Sequence, residues 1–411
     1  MDLLLKNIGV LATPQGTTAK TGTDFGEILT LENAAVGIKD GQIVYIGQDP
    51  SETESVSLKS KKVIDCSGKL VTPGLVDSHT HLVFGGWRQS ELAMKLDGVS
   101  YLEILQNGGG ILSTVTATRS ATEEELLEKS TLLAAEMLRY GTTTCECKSG
   151  YGLNLESEMK QLRVAKRLNE TQPLEIVSTF MGAHAVPAEF RDNRTEYIRI
   201  LCEEMLPLVS QEKLAEFCDV FCDSGAFTVE ESASILSVAL THGLQLKAHV
   251  DEIDAVSGAE MAASLGCISA EHLILASDNG IEALSKSGTI ACLLPATSFY
   301  LNKPFARAKD MIEQGVPVAI ASDFNPGSSP NLNLQLAMHI GCLRFELTPR
   351  QVLTAATLNA AAAINRSDRI GSIEIGKQAD IAVWNAPDLA YILYRYGSNN
   401  VDFVIKNGRI V

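Results

Sequence analysis

The chain has 411 residues, too many for one small domain, and its 45% hydrophobic and 20% charged residues are the balance of an ordinary globular protein. A net charge of −16 argues against a nucleic-acid or anionic-membrane surface, since both need basic patches. An anionic substrate would gain nothing from that field and would need local cations.

No apolar run reaches the ~18 residues of a membrane span. The opening Met1-Asp-Leu-Leu-Leu-Lys6 lacks the basic start and long apolar core of a signal peptide. The nine cysteines are odd in number and scattered through apolar runs, as expected of reduced, buried thiols in a cytoplasmic protein. Cys145 and Cys147 could ligate a metal, but no second thiol pair has zinc-site spacing.

Residues 1 to about 70 read as short strands. Ala35 to Ile46 alternates around Asp40-Gly41, a strong hairpin signal. The tail repeats the style, with Ile381-Ala-Val-Trp384 as a strand and Asp402 to Val411 as a hairpin turning at Asn407-Gly408. An isolated hairpin is marginal in water, so both ends are expected to join. The expectation is a small composite β-sandwich from residues 1–72 and 367–411, flanking a central unit at 73–366.

The central unit alternates strands with helices. Strands are expected at 74–76, 142–147, 175–180, 219–222, 246–250, 268–272, 289–294 and 316–321. Thr122-x-x-Glu125 and Thr228-x-x-Glu231 are capping boxes opening helices to Arg139 and near Gly243. Further helices are expected at 156–169, 192–209, 255–265, 281–286 and 304–314, and Thr348-Pro349 opens another. Eight such units suggest a (β/α)8 TIM-type barrel, an α/β fold. The rival is a doubly wound open sheet, but no Gly-x-Gly-x-x-Gly fingerprint supports a nucleotide-binding version.

A barrel presents its functional side chains at the C-terminal ends of its strands. His79 and His81 follow strand one, His184 strand three, His249 ends strand five, His272 ends strand six and Asp323 ends strand eight; only His242 and His339 lie elsewhere. His79 and His81 are two apart and converge on one point. Three imidazoles and a carboxylate, His79, His81, His249 and Asp323, suit one zinc or iron ion with a position left for water. Such an ion lowers a bound water's pKa to about 7.

Other roles follow from position. Asp323 can also accept a proton, or simply cap the loop Ser322-Asp-Phe-Asn325. Glu252, three residues past His249, can carry a proton to a leaving nitrogen, or be a solvated helix start. His272 can polarise a carbonyl or orient a water. Arg88 can grip a carboxylate in a bidentate fork, or pair with Glu91 on the surface. Tyr151, between two glycines, is a candidate site residue or a structural hydroxyl. Gly327 permits close backbone approach, so Asn325 to Ser328 could offer amide donors to an anion.

Val71-Thr-Pro-Gly-Leu-Val-Asp-Ser-His-Thr-His-Leu82, the His249 strand, His272 and Ser322-Asp323 together resemble the amidohydrolase superfamily. The segments Phe84 to Glu91, Lys148-Ser-Gly-Tyr-Gly-Leu153, Gly182 to Pro187, Asp219 to Cys222, His249 to Glu252 and Ser322 to Pro330 span most of the chain and narrow the match to its hydrolases of cyclic amides. The resemblance implies a barrel with a small β domain, and opening of a cyclic amide on a small anionic substrate. It implies metal ligands His79, His81, His249 and Asp323, and substrate contacts at Arg88, Tyr151, His184, Glu252, Asn325, Gly327 and Ser328. It suggests a homodimer. Some relatives hold two metals bridged by a modified lysine; strand four here has none, so one metal is expected. A base deaminase or a non-catalytic assembly protein of the same fold are the rival readings.

Overall fold

A computed structural model describes residues 1–48, 60–99 and 109–411. Five strands come first: β1 (Leu3–Thr13), β2 (Leu29–Lys39), β3 (Gln42–Gln48), β4 (Lys62–Asp65) and β5 (Leu70–Pro73). Eight follow: β6 (Leu75–Asp77), β7 (Thr142–Lys148), β8 (Glu175–Ala183), β9 (Phe217–Cys222), β10 (Gln245–Val250), β11 (Ser269–His272), β12 (Ile290–Leu293) and β13 (Val318–Ile320). Three more complete the set: β14 (Ile381–Trp384), β15 (Val401–Lys406) and β16 (Arg409–Ile410).

Both chain ends share one mixed sheet, in the order β16-β15-β14-β5-β1-β2-β3, with β4 also paired to β1. The seam is antiparallel pairing of β14 with β5, Trp384 opposite Leu70. The sandwich is one continuous sheet folded over a core that includes Leu5, Ile8, Leu11, Val36, Ile38, Val71, Ile381, Val383 and Ile405. Burying each such side chain contributes about 1.5–3 kcal/mol. The two hairpin tips meet. Asp40, Gly41, Asn407 and Gly408 all have positive φ, as two-residue hairpin turns of this hand require. A Cβ on Gly408 would lie 2.9 Å from Gly41 Cα, so the contact needs bare glycine.

Strands β6 to β13 run in sequence order, each parallel to the next. The ring closes through the segments that follow its first and last strands. His81 N donates to Phe324 O at 2.8 Å and Asp323 N to His79 O at 3.1 Å. Beneath them Asp77 accepts from the Ser322 amide at 3.0 Å and hydroxyl at 2.5 Å. Closure therefore places His79, His81 and Asp323 side by side.

The capping boxes at Thr122 and Thr228 form, and Thr348 forms a third with Gln351. Three helices depart from the sequence pattern. The one expected over 192–209 is Arg194–Ile200 and Leu206–Glu212 joined by a π turn at Leu201–Met205. The one expected from 304 is only Ala308–Glu313. The one expected from 255 begins at Gly258, because the Asp251 carboxylate takes the amides of Val256, Gly258 and Ala259. His339, expected within a helical segment, lies on helix Leu334–Arg344, whereas helix Leu389–Tyr394 matches none of the expected elements. Among the described residues no helix is long and apolar enough to cross a membrane.

Candidate metal centre

The C-terminal ends of the barrel strands gather the histidines. Ligand-capable atoms of His79, His81 and His249 all lie within 4.8 Å of one another, and all three side chains are buried. His79 Nδ1 pairs with Glu271 Oε2 at 2.8 Å, and His249 Nδ1 with Asp219 Oδ1 at 3.1 Å. The opposite nitrogens, Nε2 of His79 and of His249, have no hydrogen-bond partner. Asp323 faces the same point, its Oδ1 at 3.4 Å from His79 Nε2 and 3.7 Å from His81 Nε2, while Thr297 Oγ1 donates to its other oxygen at 2.6 Å.

An orphaned buried polar atom costs about 1–3 kcal/mol. Two of them within one cluster of ligand-capable atoms, one of them 3.4 Å from Asp323 Oδ1, fit a cation that would accept both lone pairs. Burial also pushes His79, His81 and His272 well below the usual histidine range, so they are neutral at pH 7, as metal ligation requires. The carboxylates on the far nitrogens are the usual outer support of metal-binding imidazoles.

Backbone strain marks the same place. Asp323 has φ 52° and His272 φ 67°, a left-handed conformation that non-glycine residues rarely adopt and that functional sites concentrate. For His272 it has a direct use. Neighbours on a strand point to opposite faces, yet both Glu271 and His272 reach the centre. The left-handed turn brings the His272 ring to 5.2 Å from that of His249 and 5.7 Å from that of His79.

Glu252 lies beside His272, Oε2 to Nε2 3.4 Å, with its side chain 16% exposed. The loop carrying it is clamped by Asp223, which accepts from the amides of Glu252, Ile253 and Asp254 at 2.7, 2.9 and 3.0 Å. Burial, reinforced by the charges of Asp323 and Asp223, pushes the Glu252 carboxyl up to about 8. Burial likewise raises Asp323 to about 6. Glu252 therefore holds a proton at neutral pH.

Tyr151 and His184 form one wall. The His184 ring stacks on His81 with centroids 5.0 Å apart, and Tyr151 lies 5.3 Å from His184. Buried Glu158 shapes the Tyr151 loop by accepting from the amides of Gly150, Gly152 and Leu153. Arg88 and Gly327 meet on another side. A Cβ on Gly327 would fall 2.0 Å from Arg88 Nη1. The pairing of Arg88 with Glu91 does form, at 2.9 and 3.0 Å, but buried rather than on the surface, with the side chains 10% and 3% exposed. Glu91 also accepts from Gly110 N at 2.7 Å. The run of glycines at 108 to 110 makes that segment a candidate in the sequence for a loop closing over the site, and Gly108 lies outside the described residues.

One expectation needs correcting. The amides of Gly327 and Ser328, suggested as donors to an anion, both donate to Asn325 Oδ1 at 2.8 Å. The Asn325 amide nitrogen in turn donates to Asp323 O at 2.7 Å and Ser328 Oγ at 2.9 Å. In this state the loop is self-satisfied, and it holds Gly327 against Arg88.

Sequence reasoning missed a set of charges beneath the histidines. Glu146, Lys148, Asp219, Lys247 and Glu271 are all 0% exposed. Lys148 Nζ meets Glu146 at 2.8 Å and Asp219 at 2.7 Å; Lys247 Nζ meets Glu146 at 3.1 Å and Glu271 at 3.4 Å. Only part of a signal was present: Glu146 and Lys148 are two apart on β7, as are Lys247 and His249 on β10, so each pair shares a face, but nothing in the spacing joins the strands.

The fold is that of a barrel-type hydrolase with a candidate metal site, and the chain belongs to the amidohydrolase family, whose model matches residues 70–411. Among solved structures it resembles a zinc-bound adenosine deaminase from Xanthomonas campestris, with TM-score 0.72 at 20% identity over 100% of this chain and 92% of the other. It also resembles the atrazine chlorohydrolase TrzN of Arthrobacter aurescens, with TM-score 0.72 at 19% identity over 99% and 94%. These likenesses concern the fold. Much nearer in sequence are curated proteins named imidazolonepropionase. That of Alkaliphilus metalliredigens is 49% identical, covering 100% of this chain and 98% of its own. Those of Bacillus velezensis and Fusobacterium nucleatum are each 50% identical, covering 100% of this chain and 97% and 98% of theirs. Within the family the chain groups with these imidazolonepropionases.

Proposed function

We propose that this protein hydrolyses the cyclic amide C–N bond of 4-imidazolone-5-propanoate to give N-formimidoyl-L-glutamate, a step of histidine degradation. The observation that carries the reading is the pair of orphaned, buried imidazole nitrogens in the His79, His81 and His249 cluster, with Asp323 3.4 Å from one of them. His79, His81, His249 and Asp323 would hold one divalent ion, zinc or iron. When bound, such an ion supplies Lewis acidity to a carbonyl and lowers the pKa of water to about 7.

The chain's own residues do the rest. Water adds to the ring carbonyl, the ring C–N bond breaks, and the departing nitrogen must gain a proton. Glu252 holds that proton at its carboxyl and faces the cavity. Asp323 can receive the proton that water loses. His272 is neutral, and its Nδ1 has no hydrogen-bond partner, so it can orient water or the carbonyl oxygen. Tyr151 and His184 wall the ring. Arg88, pre-oriented by Glu91 and seated on Gly327, meets the propionate. Asn325 and Ser328 shape that loop end. We further infer a cytoplasmic homodimer; the nine unpaired cysteines are consistent with a reducing compartment.

The test follows the ultraviolet absorbance of freshly made imidazolone propionate, with guanine in parallel. Loss of the first, stopped by a chelator and restored by zinc or ferrous iron, is the expected result. Deamination of guanine with the imidazolone untouched would reassign the protein to the base deaminases and remove Arg88 from the argument.

A further inference from the structure

The histidines do not stand on isolated carboxylates. Glu271, which holds His79, and Asp219, which holds His249, lie on β11 and β9, with β10 between them. They are joined through a continuous buried chain: Glu271 to Lys247, Lys247 to Glu146, Glu146 to Lys148, Lys148 to Asp219. Further donors pin it. Thr179 Oγ1 donates to Glu146 at 2.5 Å, Ser269 Oγ donates to Glu271 at 2.5 Å, and Lys247 donates to Ser78 O at 3.2 Å. Glu146 is the one member bonded to both lysines. The five side chains sum to one negative charge, and Asp323 brings the total facing the histidines to two. Five fully buried charges are costly unless they serve a specific arrangement.

We propose that Glu146, with Lys148 and Lys247, is a positioning element of the metal centre. It locks Glu271 and Asp219 so that His79 and His249 each keep their proton on Nδ1 and present Nε2. It also sets a local charge that a divalent cation balances. All three side chains are fully buried and act through the two carboxylates. This rests on the metal assignment above, not on the identity of the substrate.

The test compares Glu146→Gln and Glu146→Asp with the unaltered protein. Zinc affinity is read by competition with a chromophoric chelator, on protein shown to be folded by circular dichroism. Glu146→Gln is expected to bind zinc roughly 10–100-fold more weakly, the range for loss of an outer partner, and Glu146→Asp, which keeps the charge, to recover most of that loss. Wild-type affinity in Glu146→Gln, or equal weakening in both, would overturn the proposal. Imidazole ¹⁵N spectra of the metal-free unaltered protein give an independent reading that needs no variant to fold. The Nδ1–H form is expected at His79 and His249; the Nε2–H form at either would overturn it. Failure of the unaltered protein to bind zinc would instead defeat the metal assignment.

Discussion

Replacing Gly327 with alanine is expected to damage substrate binding while sparing the metal. Gly327 has an ordinary negative-φ backbone, so alanine costs nothing there in conformation. The cost is contact. The new Cβ would lie 2.0 Å from Arg88 Nη1 and 2.7 Å from its Cζ, where a comfortable separation is about 3.5 Å. The guanidinium must retreat by about 1.5 Å. It cannot do so freely, because two hydrogen bonds of 2.9 and 3.0 Å tie it to buried Glu91. A misplacement of about 1 Å at a positioning group can cost about 100-fold in rate, or ~2.7 kcal/mol of transition-state stabilisation. Steady-state kinetics on imidazolone propionate should show that loss in kcat/KM, chiefly as a raised KM. Metal content should match the unaltered protein. A kcat/KM within about threefold of the original would refute the placement of Arg88 at the substrate.

Three further predictions concern other parts of the molecule. Glu252→Gln should lose about 10²–10⁴-fold in kcat with its metal retained, and carboxyl ¹³C spectra of the metal-free protein should show Glu252 titrating near 8 rather than near 4.5. Glu175, at the seam between barrel and β domain, is raised by burial but held down to about 2 by Lys406 and Arg369, below its ordinary 4.5. Its contribution is therefore fully present above about pH 4.5 and lost as pH falls through 2; about 2.5 pH units correspond to ~3 kcal/mol, and urea unfolding of Glu175→Gln should lack that acid-sensitive component. Lys129 staples the Arg88 loop, donating to Phe84 O and Gly86 O at 3.2 and 3.0 Å with its Nζ 3.6 Å from the Phe84 ring centroid, so Lys129→Met should raise KM more than it lowers kcat.

The sequence made the barrel legible because its strands are apolar runs punctuated by polar ends, and a barrel confines function to those ends. His79, His81, His249 and Asp323 could be grouped because each falls at the C-terminal end of an expected barrel strand. The buried charges could not, because Glu146, Lys148 and Lys247 look like ordinary strand polarity until the strands close around them. His272 sits off the alternation of β11, and only its left-handed backbone turns it inward. The pairing of Arg88 with Glu91 was visible as an i to i+3 spacing, but its burial depends on Gly110 and Gly327, distant in sequence. The π turn at Leu201–Met205 has no signature in helical periodicity, since the apolar spacing continues through it.

The central claim, that His79, His81, His249 and Asp323 hold a single catalytic ion, is tested most directly by metal analysis of the purified chain beside His249→Ala. The account predicts one zinc or iron per chain in the unaltered protein, with metal and activity lost together in the variant. Two metals per chain, or a metal-loaded and active His249→Ala, would contradict it.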